Sequence, residues 1–218
     1  MAEMRTEEEQ LEALKRWWKE NGTSLIAGAV IAAAGVFGWK AWQDYQAGQA
    51  EAASQRYQQL LTLSGQDALD EAARRQAETL VTTLTEDHGG SLYADLALLL
   101  DARLAVQAGD TAAARAALER LIADGERPYL QGLARLRLAR LQLAGEDAEA
   151  ALATLAGEMP APLAAQRADI RGDAHLALGD PEAARAAWQE ALRLSEASDQ
   201  PLYGVQLKLD DLGVEEAS

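Results

Sequence analysis

One stretch of the chain, residues 21–39, contains no charged side chain, although a quarter of all residues are charged. It is rich in Ala, Gly, Val and Ile and lacks Pro. As an α-helix it would be roughly 28 Å long, close to the hydrocarbon thickness of a bilayer. A helix also satisfies its own backbone hydrogen bonds in lipid. These properties predict one transmembrane helix that anchors the chain in a membrane.

Tryptophans flank this stretch on both sides, where amphipathic rings prefer the headgroup layer of a bilayer. Four of the five tryptophans stand there: Trp17, Trp18, Trp39 and Trp42.

Two alternatives to a transmembrane helix are disfavoured. A buried helix of a soluble domain would leave these tryptophans unexplained. A cleaved signal peptide conflicts with the segment before the stretch, which is about twenty residues long and carries several glutamates.

The basic residues near the stretch are distributed asymmetrically. Those before it are Arg5, Lys15, Arg16 and Lys19, and those within about 20 residues after it are only Lys40 and Arg56. The positive-inside rule therefore predicts that the N-terminus is cytoplasmic. Residues 43–218 are expected to lie on the opposite side of the membrane.

The part of the chain after residue 42 is strongly acidic. It holds fifteen basic and twenty-nine acidic residues, a net charge of −14. Such a charge disfavours nucleic acid as a partner and repels anionic lipid headgroups. The chain has no cysteine, so no disulfide contributes to its stability, and an oxidising compartment would be tolerated. Ala, Leu, Glu, Gln and Arg dominate this part, which predicts an all-helical fold.

The patterning divides the chain into five segments. We predict a cytoplasmic amphipathic segment at 1–20, a transmembrane helix at 21–42, a stalk helix at 43–66, a repeat domain at 67–213 and a frayed tail at 214–218. The C-terminal residues 201–212 supply leucines that are expected to form a capping helix over the last repeat.

A repeat becomes visible when glycine turns are aligned. Gly109, Gly145 and Gly179 each precede an acidic residue and are 36 and then 34 residues apart. This period is typical of tetratricopeptide repeats, in which two helices pack through small residues. The packing positions expected from this alignment are Ala114, Ala150 and Ala184, together with Gly172, Trp188 and Ala191 of the third unit. The first two units are degenerate, and the third is close to the consensus.

Two surfaces are candidates for binding. In the membrane helix, Gly28, Ala32 and Gly35 share one face, where small residues would let a second helix approach; the same residues are also simply common in transmembrane helices. In the repeat domain, the first helix of each unit would present a polar groove to a polypeptide. The groove positions expected from the consensus are Arg103, Gln107, Arg135, Gln142, Asp169 and Asp173.

The sequence offers no catalytic constellation. It has no phosphate-binding loop, no dinucleotide-binding glycine motif, no nucleophile elbow and no cysteine. Neither His88 nor His175 has a metal-ligand partner at helical spacing. We therefore expect a binding protein, with no catalytic residue, no cofactor and no metal.

Several segments together resemble the YfgM family of bacterial inner-membrane proteins. They are residues 11–22 (LEALKRWWKENG), 38–42 (GWKAW), 136–140 (LRLAR), 169–173 (DIRGD), 179–180 (GD) and 184–188 (ARAAW). Together these segments sample nearly the whole chain.

The resemblance implies an ancillary subunit of the SecYEG translocon in the bacterial inner membrane, with a periplasmic tetratricopeptide domain. It further implies association with a membrane-anchored periplasmic prolyl isomerase chaperone, and help in passing exported client proteins to envelope chaperones. Two other roles remain open for this architecture. The cytoplasmic segment would restrain an envelope stress regulator in one, and the chain would serve an enzyme complex or cell-division assembly in the other.

Overall fold

The computed structural model describes residues 7–66 and 69–215, and every regular element in those ranges is helical. The chain divides into two compact units, Met1–Glu51 and Ala52–Ser218. The predicted start of the repeat domain at residue 67 lies outside the described residues. Of the predicted tail 214–218, residues 216–218 also lie outside them, and residue 215 ends the last helix.

Helix α1 runs without interruption from Glu7 to Ser64. It therefore includes residues 7–20 of the predicted amphipathic segment, the whole predicted span and residues 43–64 of the predicted stalk. In the first unit its side chains are almost all exposed, including those of the apolar stretch. Among the described residues this is the one helix that is both long and apolar enough to cross a membrane.

The second unit consists of the end of α1 and eight further α-helices. They are α2 (Glu71–Asp87), α3 (Leu92–Gln107), α4 (Thr111–Asp124), α5 (Pro128–Ala144), α6 (Ala148–Leu155), α7 (Ala164–Ala177), α8 (Pro181–Ser198) and α9 (Val205–Glu215). A 3-10 turn at Ala161–Leu163 precedes α7. Each helix packs mainly against its neighbours in sequence, which is the arrangement of an α-solenoid. The predicted all-α fold with one apolar N-terminal helix is confirmed.

Aspartate and serine residues begin most of these helices. The side chains of Asp110, Asp147 and Asp180 each accept a hydrogen bond from the backbone N–H three residues later, at 2.9, 3.1 and 3.0 Å. Such N-caps satisfy one of the free N–H groups at a helix start. The three equivalent caps define the beginning of the second helix in each of three helix pairs: α3–α4, α5–α6 and α7–α8.

The hydrophobic core continues along the solenoid in three adjoining clusters. The first joins the end of α1 to α2, α3, α4 and the start of α5, and it includes the buried Leu60 and Leu121. The second joins α5, α6 and α7. The third surrounds Trp188 and is closed by Val205 and Leu212 of α9. Helix α9 therefore covers the last pair as the predicted capping helix would, although Leu207 is exposed.

Candidate functional site

The tryptophans that flank the apolar stretch are exposed on α1. Trp17, Trp18, Trp39 and Trp42 are each about half accessible, and the rings of Trp39 and Trp42 lie 5.1 Å apart. Exposed indole rings would be unfavourable in water but suit the membrane interface. Their assignment as interface anchors stays a prediction.

The small-residue face of the same helix is open. A Cβ atom added at Gly28 or Gly35 would meet no heavy atom within 4 Å, and Ala32 between them is exposed. A neighbouring helix could therefore approach the backbone of α1 closely along this face. Its use as a helix contact remains a prediction.

The third helix pair is built around Trp188, which is almost completely buried. A Cβ atom at Gly172 would lie 2.3 Å from the Trp188 Nε1, so only glycine leaves room for the indole. The Trp188 N–H donates to the Asp169 backbone oxygen at 3.1 Å and to Asp173 Oδ1 at 3.2 Å. Ala184 and Ala191 are fully buried on the same helix as Trp188.

The turns inside the three pairs share one backbone geometry. The first helix ends, one residue adopts a positive φ, and the aspartate N-cap follows. In each turn the N-cap N–H donates to the backbone oxygen five residues earlier, namely that of Ala105, Gln142 or His175. This is the hydrogen bond of a Schellman C-cap. Because only backbone atoms form this bond, its position allows the three pairs to be aligned without reference to residue type.

The alignment differs by one residue from the glycine alignment in the second pair. The positive-φ residues are Gly109, Glu146 and Gly179, so a glutamate takes the place of glycine, while Gly145 has φ −92. The buried equivalent of Ala114 is consequently Ala151, which is fully buried, and Ala150 is only half-buried. Sequence alignment missed this because it took glycine to mark the left-handed position.

The six predicted groove residues do not form one surface. Arg103 and Gln107 are exposed and line the gap between α3 and α5. Asp169 and Asp173 lie on α7 and bind Lys208 of α9. Their prediction as open contacts must therefore be corrected, because the chain itself occupies them.

Of the two remaining groove predictions, that of Gln142 requires correction because the residue is buried, whereas that of Arg135 stays a prediction. Gln142 is buried, and its Oε1 accepts a hydrogen bond of 2.9 Å from Thr154 Oγ1. The Arg135 side chain packs over Gly157, with Nε 2.8 Å from where a Cβ atom would stand. Neither residue lines the gap between α3 and α5. The one-residue shift explains part of this, since Arg140 is the true equivalent of Arg103 and Asp173.

Two arginines of α5 that the sequence reading did not select complete the gap between α3 and α5. Arg137 and Arg140 stand on one side of it and Arg103 on the other, above an apolar floor. The floor includes Val106 and Leu141. The cavity between them measures about 430 Å³. Counting the spacing from the N-cap aspartates instead of the glycines would have identified Arg140.

The three arginines, which we call the arginine groove, place like charges close together. Burial lowers the pKa of Arg137, and the neighbouring charges of Arg140 and Arg103 lower it further. Arg137 Nη1 donates to the Leu99 backbone oxygen at 3.2 Å. Within the described part of the chain none of the three forms an ion pair. The groove thus carries uncompensated positive charge in an acidic domain.

The gap between α7 and α9 has the opposite character. Lys208 Nζ lies 2.7 Å from Asp169 Oδ1 and 2.5 Å from Asp173 Oδ1, and 5.6 Å from the centre of the Trp188 ring. Burial alone would lower the pKa of Lys208, but hydrogen bonds and charges of the two aspartates outweigh it and raise that pKa. Burial raises the pKa of Asp173, and the charge of Asp169 raises it further, although the hydrogen bond and the charge of Lys208 act in the opposite direction.

Comparison with known proteins identifies relatives that match nearly the whole chain. A family model described as a tetratricopeptide repeat-like domain matches residues 15–214. The chain is 32% identical over 211 residues to a protein of Escherichia coli K12 named ancillary SecYEG translocon subunit, covering 95% of this chain and 97% of that protein.

Proteins with the same name in two other bacteria are also similar. For that of Haemophilus influenzae the identity is 31% over 206 residues, covering 94% of this chain and 97% of the relative. For that of Neisseria gonorrhoeae it is 26% over 214 residues, covering 97% and 100%. No solved structure gave a significant match.

Proposed function

The chain belongs to the YfgM family of ancillary SecYEG translocon subunits, as its sequence motifs indicate, and on this premise we propose that it is a scaffold of the bacterial inner membrane that acts beside the translocon. The observation that carries the proposal is the extent of the similarity. It includes both the apolar helix and the repeat domain.

We further propose that α1 crosses the inner membrane once, with the N-terminus in the cytoplasm and the repeat domain in the periplasm. The excess of basic residues before the span supports this orientation. The exposed tryptophans at its two ends support the placement of the span.

The repeat domain would work by binding and not by catalysis. In the proposal it binds a membrane-anchored periplasmic prolyl isomerase chaperone and helps transfer exported proteins from the translocon to periplasmic chaperones. A membrane anchor confines such a domain near the translocon exit and raises its effective concentration there, so individually weak contacts suffice.

Co-purification tests the association with the translocon. The full-length chain is purified from membranes in mild detergent, and SecY is quantified in the eluate. Replacing Gly28 and Gly35 by Leu fills the small-residue face, so we expect SecY to be lost while the chain remains in the membrane fraction. Replacing Ala33 and Ala34 by Leu, on the opposite face of the helix, serves as the matched control and should retain SecY.

Two outcomes would contradict the proposal. Unchanged SecY in the Gly28 and Gly35 variant would show that this face does not contact the translocon. Absence of SecY from the unmodified chain would contradict the scaffold role itself. Deletion of residues 1–15 distinguishes the scaffold role from the regulatory alternative. In the regulatory alternative the deletion would release the restrained stress regulator, whereas in the scaffold role SecY association would persist.

A further inference from the structure

The first helices of the three pairs lie side by side, so equivalent positions on them can be compared directly. Arg103 on α3, Arg140 on α5 and Asp173 on α7 all stand six residues before the positive-φ residue of their turn. The charge at this position therefore changes sign along the domain. The first helices of the first two pairs therefore present a positive charge to a neighbouring segment, and the first helix of the last pair presents a negative one.

At the C-terminal end the neighbouring segment is part of the chain itself. Helix α9 packs against α8 through apolar side chains and directs Lys208 to Asp169 and Asp173. An apolar contact combined with opposite charges thus holds a helix beside the last pair. This contact shows how a segment binds to the domain.

The arginine groove has the same two components, but no segment among the described residues fills it. Its floor is apolar, with Val106 about half accessible, and its rim carries Arg103, Arg137 and Arg140. Burial of Arg137 and, after it, the like charges of Arg140 and Arg103 lower the pKa of Arg137, so repulsion among the three arginines is unfavourable in the isolated domain. A partner that supplies carboxylates would relieve it.

We propose that the arginine groove between α3 and α5 binds a short segment of a partner protein that carries apolar side chains flanked by Asp or Glu. Arginine pairs well with carboxylates because its planar guanidinium can donate two parallel hydrogen bonds. Nucleic acid is a poorer fit, since its long phosphate backbone would also meet the surrounding acidic surface. The proposal deepens the proposed function and rests on it for the identity of the partner as an envelope protein.

Fluorescence anisotropy with the full-length chain in nanodiscs of neutral lipid tests the groove. The probe is a short fluorescein-labelled peptide with leucines at helical spacing and glutamates between them. Two control peptides carry lysines in place of the glutamates or serines in place of the leucines. We expect only the first peptide to bind, since the groove selects both charge and apolar contact.

The variant R103E/R140E reverses two rim charges and should weaken binding of the acidic peptide at least about tenfold, which corresponds to about 1.4 kcal/mol. The matched control R75E/R115E makes the same charge change at exposed arginines on α2 and α4 that do not line the groove. This control should bind nearly as well as the unmodified chain. A shared circular dichroism spectrum would show that all variants are folded.

Three outcomes would overturn the proposal. The first is equal binding of the acidic and basic peptides, and the second is retention of affinity in R103E/R140E. The third is sedimentation showing that R103E/R140E converts an oligomer of the unmodified chain into a monomer, in which case a second copy occupies the groove. SecY co-purification is measured on the same variants, so failure of peptide binding is distinguishable from failure of translocon association.

Discussion

The first and last helix pairs of the repeat domain share a backbone but present different chemistry. The pair α3–α4 has a core of Ala and Leu and an open, arginine-lined gap beside it. The pair α7–α8 encloses Trp188, and Lys208 of α9 closes its gap. The difference shows that buried small residues and capped turns define the repeat, whereas exposed positions decide whether a gap is filled by the chain or left for a partner.

Trp188→Ala tests the closed pair and should have the largest effect. It removes a buried indole and its two hydrogen bonds, leaving a cavity against Gly172, so we expect about 3–5 kcal/mol of lost stability. Urea denaturation of the full-length chain in detergent, followed by circular dichroism, measures it. Trp188→Phe should lose less, because it keeps much of the buried volume. If Trp188→Ala lost no more stability than a substitution of an exposed residue, this account of the pair would be contradicted.

Lys208→Met tests the charged contact that closes the last gap. It leaves Asp169 and Asp173 without their cation, so we expect a loss of about 1–2 kcal/mol after allowing for solvent screening of a partly exposed pair. Denaturation at neutral pH provides the measurement. Arg193→Met breaks a surface pair with Glu190 on the same helix, in which the arginine is exposed, and should change stability little. Equal effects of the two substitutions would show that the Lys208 contact contributes no more than a surface ion pair.

The pH dependence of the Lys208 contribution follows from the direction of its pKa. Because the folded-state pKa of Lys208 is raised above its ordinary value of 10.5, the contribution is complete below that value and is lost as the pH rises through the folded pKa. The stability difference between the unmodified chain and Lys208→Met should therefore persist at neutral pH and shrink above about pH 10.5. Parallel urea titrations across this range measure it, and a constant difference would argue against the ion pair.

The turns provide a smaller test that compares the first two pairs. Gly109→Ala places a side chain at φ +76 and should cost about 1 kcal/mol. Glu146→Gly relieves the same strain at φ 62 and should stabilise by about 0.5 kcal/mol. Thermal and urea unfolding measure both. Destabilisation by Glu146→Gly would contradict the turn assignment. Stabilisation by Gly145→Ala would not support the glycine alignment, because Gly145 has a negative φ.

Arg103→Glu should have the smallest effect on stability, and it tests the open gap between α3 and α5. A carboxylate opposite Arg137 and Arg140 would replace repulsion by attraction and should stabilise the folded domain by about 0.5 kcal/mol. The reciprocal change Asp173→Arg, at the equivalent position, should destabilise because it places a cation beside Lys208. Urea midpoints at low salt measure both, and equal signs for the two substitutions would contradict the comparison.

Much of the architecture follows from local patterns that act over one or two helical turns. The uncharged stretch from residue 21 to 39, the acidic residue after each glycine and the spacing of small residues predict the apolar helix and the pairs. The Gly172 contact with Trp188 agrees with its consensus position. The groove could not be predicted in the same way, because its register depends on which residue adopts a positive φ, and Glu146 does so in place of a glycine.

The sequence by itself determined the helical class, the apolar segment, the acidic balance and the family. These properties depend on composition, periodicity and motifs that need no knowledge of distant contacts. Only the tertiary structure decided that Asp169 and Asp173 are bound by Lys208, that Gln142 is buried, and that Arg103 faces Arg137 and Arg140. Lys208 is more than thirty residues from its partners in sequence, and its contacts arise only when α9 packs onto the last pair.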